Sequence, residues 1–169
     1  IGAYDKQDGA ANNNGVYKIE ASLNGDVVFE MNMDRFSFTE TRHLNQLIDY
    51  EYFINNKSRI HQLFLGPNNP LSIYNNVVNK GVVNVQDSLN YVYSIKVLDQ
   101  AGNAKIVCLP VKGNQPGKIQ YKKIMETDYL VKANPNVSLE ENEVAIFIPK
   151  ETFYYDPYLD VNFKEVTFC

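Results

Sequence analysis

Tyr91-Val92-Tyr93-Ser94-Ile95-Lys96-Val97-Leu98, Asp99-Gln100-Ala101-Gly102-Asn103 and the run from Ala104 to Val111 decide the fold of this chain. In the first arm Tyr91, Tyr93, Ile95 and Val97 share one face by the period of two of a strand. The second arm is apolar and β-branched, and Gly102 between them is free to take φ > 0. Such a pair reads as a hairpin from a sandwich core. Just upstream, Asp87, Leu89 and Tyr91 stand at the spacing of a tyrosine corner, in which a phenol on a late strand bonds back to the backbone. The expectation is an all-β fold, an immunoglobulin-like β-sandwich. Modules of that kind hold, space or bind, and the fold alone does not assign a function.

Working outward, Tyr17, Ile19, Ala21 and Leu23 alternate with Lys18, Glu20 and Ser22, and Val27, Phe29, Met31 and Met33 form a second period-two run. Asn24-Gly25-Asp26 lies between them, and Asn-Gly between alternating runs is a strong short-range hairpin signal. From Thr39 to Asn56 the pattern loosens. Leu44, Leu47 and Ile48 have helical spacing, while Asp49 to Phe53 read as extended, so a short helical turn leading into a strand is expected. Arg59 to Leu65 and Gly81 to Gln86 read as further strands, the first stopped by Gly66-Pro67-Asn68-Asn69-Pro70. Lys112 to Lys118 is rich in Gly and Pro and reads as a break. This gives a sandwich over 1–112, a linker over 113–118 and a second β module over 119–169. Ile119 to Met125, Val144 to Ile148 and one or two runs after Phe153 supply its strands. So few strands make an incomplete core, and completion is expected from residues beyond Cys169, from the sandwich or from a second chain.

Composition sets bounds. The 169 residues carry a net charge of −4 and an apolar fraction of 44%, ordinary for a globular chain. Scattered Lys and Arg on an acidic chain argue against a nucleic-acid partner. No run approaches the length of a membrane span. Asparagine clusters such as Asn12-Asn13-Asn14 are turn chemistry. The two cysteines, Cys108 and Cys169, have no C-x-x-C spacing, which excludes a zinc knuckle or redox motif. Cys108 is expected as a small buried hydrophobe.

Candidate sites are few. Asp5, Asp8, Asn12 and Asn14 around Gly9 offer oxygen ligands for Ca²⁺, but not at EF-hand spacing and without its closing Glu; a plain Asx-rich loop is the simpler reading. Glu40, Asp49 and Glu51 invite a paired-carboxylate reading, yet solvated charges account for them. Tyr154, Tyr155 and Tyr158 are the candidate binding residues, stacking on sugars or, by preference, packing against a neighbouring domain. His43 and His61 are the only histidines, too few for a converging ligand set. No residue qualifies as catalytic or as a metal ligand.

Four segments carry a family resemblance: Tyr4-Asp5-Lys6-Gln7-Asp8-Gly9, Asn14-Gly15-Val16-Tyr17-Lys18-Ile19-Glu20, Phe36-Ser37-Phe38-Thr39-Glu40-Thr41-Arg42 and Ile48-Asp49-Tyr50-Glu51-Tyr52. Together they resemble the region that follows the catalytic domain in lysostaphin-like (LytM-type) zinc peptidases of Bacteroidota bacteria. Phe147-Ile148-Pro149-Lys150-Glu151-Thr152-Phe153-Tyr154 is similar to the start of that region's next module. The resemblance implies an exported protein of the periplasm or outer membrane whose whole form cleaves peptidoglycan with Zn²⁺ in its catalytic domain. The implied partners are that domain, another envelope protein or peptidoglycan itself. The family's zinc site needs a His and an Asp from a His-x-x-x-Asp motif and a His-x-His pair. Neither His43 nor His61 opens either motif, since positions 47 and 65 are both Leu, so the zinc cofactor is not carried by this chain. A free-standing binding or scaffold module of an envelope complex, glycan-binding included, is the alternative.

Overall fold

The computed structural model describes residues 1–164 apart from 7, 8, 10, 12, 86, 87 and 114–124. By its contacts the chain forms two compact units, Ile1–Lys118 and Ile119–Cys169. In chain order the first unit carries β1 (Asp5–Lys6), β2 (Asn13–Asn14), β3 (Lys18–Leu23), β4 (Asp26–Asn32), a run of 3-10 turns over Phe38–Leu47, α1 (Tyr50–Asn56), β5 (Tyr74–Val77), β6 (Asn90–Leu98) and β7 (Ala104–Lys112). The second carries β8 (Tyr129–Leu130), β9 (Val137–Glu141), β10 (Val144–Ile148) and β11 (Tyr158–Leu159). The fold is all-β, with every pairing antiparallel among the described residues.

The first unit is organised by one five-stranded sheet in the order β5-β4-β3-β6-β7. Both expected hairpins form. Asn24 and Gly25 take positive φ, 50° and 95°, which gives the turn a twist matching the strands. Asn24 then ties the turn to the next strand, its N–H donating to Val92 O at 2.9 Å and its Oδ1 accepting from Val92 N–H at 2.8 Å. A register shift near Ala21 leaves Val28 as the extra residue of a bulge. One face of the sheet presents Ile19, Ala21, Phe29, Met31 and Ile95, all buried. The other face is polar at its centre, where Lys18 meets Glu20 and Glu30 at 3.3 and 3.2 Å.

The layer over the buried face comes from residues 36–73 and the first residues of the chain. Leu47, Leu71 and Ile73 pack into the core, with Ile1, Ala3, Leu44, Ile48 and Leu63 around them. This layer departs from the expected strands. Asp49 to Phe53 begin a helix rather than an extended run, because Asp49 Oδ1 accepts from Tyr52 N–H at 2.9 Å and caps it. Lys57, at φ 55°, closes its other end. Arg59 to Leu65 is reduced to a single bridge, Ile48 to His61, extended by reciprocal bonds between Ile1 and His61 at 2.8 Å. Residues 82–85 are also not a strand. The chain reaches them through consecutive positive φ at Asn79, Lys80 and Gly81, and Gly81 lies so close to the 63–64 backbone that no side chain fits. Asp87, one of the three residues at the spacing of a tyrosine corner, lies outside the described residues.

In the second unit β9 and β10 form a tight hairpin through Asn142 and Glu143, both at positive φ. Among the unit's described residues Val131, Ala133 and Ile148 are the buried apolar ones. Phe147 and Phe163 remain exposed and Phe153 half-buried. The expected strand over Ile119 to Met125 lies, save Met125, outside the described residues, as do Phe168, Cys169 and most of the linker.

Candidate functional site

Tyr154, Tyr155 and Tyr158 surround a bend that Asp156 holds in place. Its carboxylate accepts from Ala133 N–H and from Lys132 Nζ, each at 2.9 Å. The Ala133 bond, then the lysine, hold its carboxyl below the usual range. Tyr158 pairs with Leu130 in the β8–β11 ladder and is half-buried, as is Tyr154, while Tyr155 is 61% exposed. Only Tyr155 therefore offers a largely open ring.

The other sequence candidates are held by structural bonds. Glu40 Oε2 accepts from the N–H and hydroxyl of Ser72 at 3.2 and 3.0 Å, and Asp49 is the helix cap. All three bonds lie at exposed positions, so these two carboxylates are tied locally while staying in contact with solvent. Asp99 accepts from Asn103 N–H at 2.8 Å and Asn103 Nδ2 at 2.7 Å, closing the β6–β7 turn, and those bonds lower its carboxyl pKa. Asp5 and Asn14 face each other in the β1–β2 ladder; Asp8 and Asn12 lie outside the described residues. Among the described residues no three His, Cys, Asp or Glu converge as metal ligands. His61 is half-buried, and burial lowers its pKa.

The feature that stands out is β7. It pairs with β6 over nine residues without a bulge, and among the described residues no strand lies beside its other edge in the sheet order. Opposite residues share a face, so Lys105, Val107, Leu109 and Val111 lie on the core face beside Val97, Ile95, Tyr93 and Tyr91. The layer over the core stops short of them. Val107 and Leu109 are 46% and 45% exposed, and Ile106 on the outer face is 59% exposed. Cys108 is exposed as well, contrary to the buried position expected of it. It lies on the outer face of an edge strand, with Ser94 Oγ at 3.5 Å.

Two apolar grooves bracket this strip. One, of about 400 Å³, lies between Phe64, Val82 and Val85 on its walls and Tyr93 and Val111 on its floor. The other, of about 370 Å³, lies between Ile1, Ala3 and Tyr4 and the strand residues Val97, Lys105 and Val107.

The backbone of β7 is readable in detail. Val92 spends its N–H and C=O on Asn24, and Leu98 spends its C=O on Tyr17 at 3.0 Å. The pairs Val92/Pro110 and Leu98/Ala104 are thus the wide, unbonded ones. The polar groups of Ala104, Ile106 and Cys108, and the carbonyl of Pro110, point out from the free edge. Pro110 sits where a missing N–H breaks no bond to β6. A proline inside an apolar run was the available sequence signal of an edge strand; the alternation alone did not reveal it. Comparison of the chain with protein-family models, with curated proteins and with solved structures found no match.

Proposed function

We propose that this chain is a non-catalytic accessory module of an exported peptidoglycan endopeptidase of the cell envelope, positioning a zinc domain carried elsewhere in the same polypeptide. The observation that carries a contact role is the uncovered β7 strip, since a broad exposed apolar surface marks a site of interaction. The segments beginning at Tyr4, Asn14, Phe36 and Ile48 support the peptidase setting through their resemblance to LytM-type proteins. The carboxylates of Asp49, Asp99 and Asp156 serve a cap, a turn and a bend, and that of Glu40 ties Ser72 into the layer, which supports the reading of a module that assists chemistry done elsewhere.

The test is muropeptide release from purified peptidoglycan with Zn²⁺ supplied. The chain alone is expected to release nothing above a metal-free control. The polypeptide extended upstream of Ile1 is expected to release fragments and to lose that activity when its His-x-His motif is altered. Hydrolysis by the isolated chain, or an upstream sequence lacking such a motif, overturns the proposal. A free-standing glycan-binding module is the second reading, favoured by the open ring of Tyr155. It predicts that the chain sediments with intact sacculi and that Tyr155→Ala abolishes this.

A further inference from the structure

We propose that the free edge of β7 is a strand-addition site for an extended segment of another polypeptide, one that alternates apolar side chains and carries carboxylates at its ends. Main-chain pairing is the basis of this mode of recognition, with side chains reading alternate positions. From Ala104 to Pro110 the edge offers three N–H donors and four C=O acceptors in an unbulged register. On both faces of the strand, apolar side chains stand about half exposed, so an added strand would bury Ile106 on one side and Val107 and Leu109 on the other. The two grooves that bracket the strip would receive the flanking side chains of such a segment.

Charge selects the occupant. Lys96, Lys105 and Lys112 are the charged residues of β6 and β7, with no Asp or Glu in either strand. Asp99, in the turn, is bonded to Asn103. Lys96 stands opposite Glu20 in the β3–β6 ladder, which leaves Lys105 and Lys112 on the edge strand itself. A second copy pairing β7 to β7 would bring four lysines to the seam with no carboxylate on either strand, which works against self-association. Lys105 and Pro110 are also the residues an edge carries to repel indiscriminate pairing. Here they leave an acidic, extended strand as the partner the edge accepts. The inference rests on β7 alone, and its test involves no hydrolysis.

The probe is a synthetic heptapeptide of alternating Val and Thr with Glu at both ends, N-methylated at alternate residues so that it presents one pairing edge and stays monomeric. Its twin carries Lys at both ends. With the chain labelled by ¹⁵N and kept reduced, the acidic probe should shift the amide signals of Ile106 and Cys108 saturably and slow their hydrogen exchange. The basic probe should bind roughly tenfold more weakly, the equivalent of about 1.4 kcal/mol. Ile106→Pro removes one outward donor while leaving the bonds to β6, and should abolish binding. If that variant misfolds, Lys105→Glu with Lys112→Glu decides the matter, because it should reverse the preference between probes. Equal binding of both probes, no response at Ile106 and Cys108 at millimolar probe, or concentration-dependent dimerisation that protects the same amides would each overturn the proposal.

Discussion

β3 and β7 belong to one sheet, yet the less apolar strand is the buried one. Ile19 and Ala21 of β3 are 0% exposed, while β7, with Ile106, Val107, Leu109 and Val111, keeps much of its surface in water. β3 has a bonded strand on each side and the 36–73 layer across its face. Among the described residues β7 has one neighbouring strand and little across it. Hydrophobicity supplies the drive to bury a residue, but position in the sheet decides whether anything is there to bury it against.

The sharpest way to break this comparison is a pair of truncations. Ile19→Ala should cost about 2–5 kcal/mol, the range for a large-to-small change in a closed core. Ile106→Ala should stay within about 0.5 kcal/mol. Urea midpoints at equal slopes measure both, and similar losses would mean that β7 is covered in solution.

Glycines extend the comparison. A Cβ on Gly81 would stand 2.5 Å from Leu63 O and 2.9 Å from Phe64 Cα, at φ +81°. Gly81→Ala should therefore cost about 2–4 kcal/mol through clash and backbone strain. Gly102, at the tip of the β6–β7 turn, has φ +91° but open space around it, so Gly102→Ala should cost only about 1 kcal/mol. A smaller loss at Gly81 than at Gly102 would show that the layer over β4 yields easily.

Asn24→Ala removes both a left-handed turn residue and the acceptor of Val92 N–H, and should cost about 1–2 kcal/mol. Because the bond anchors one end of β6, faster amide exchange at Val92 than at Ile95 should accompany it.

The smallest effect expected is on pH dependence. His61 has a folded-state pKa below its ordinary value, with burial the first cause. In the window between about 6.5 and that lower value the unfolded chain binds the proton more readily than the folded one. Stability should thus decline as pH falls from 7 through 6, and His61→Gln should flatten the decline. An unchanged slope between pH 7 and 5 would assign it to other groups.

The hairpins were legible because their information is local. Asn24-Gly25 and Gly102 specify turns, and the period of two places Ile19, Phe29, Met31 and Ile95 on one face wherever the strand goes. The covering layer was not. Asp49 to Phe53 look extended by alternation, but the bond from Asp49 to Tyr52 N–H commits them to a helix. Arg59 to Leu65 have strand composition, but their backbone bonds go to several separate segments and make only the single bridge between His61 and Ile48 rather than a ladder. The candidate site was half legible: Pro110 and the lysines mark β7 as an edge, whereas the expectation that Cys108 is buried followed from its apolar neighbours alone. By itself the sequence determined the all-β class, the turns and the inward faces of β3, β4 and β6, since backbone period and turn chemistry are properties of adjacent residues. Only the tertiary structure decided that β7 lies at the rim and that the layer ends before Val107 and Leu109, because burial depends on what residues distant in sequence place across the sheet.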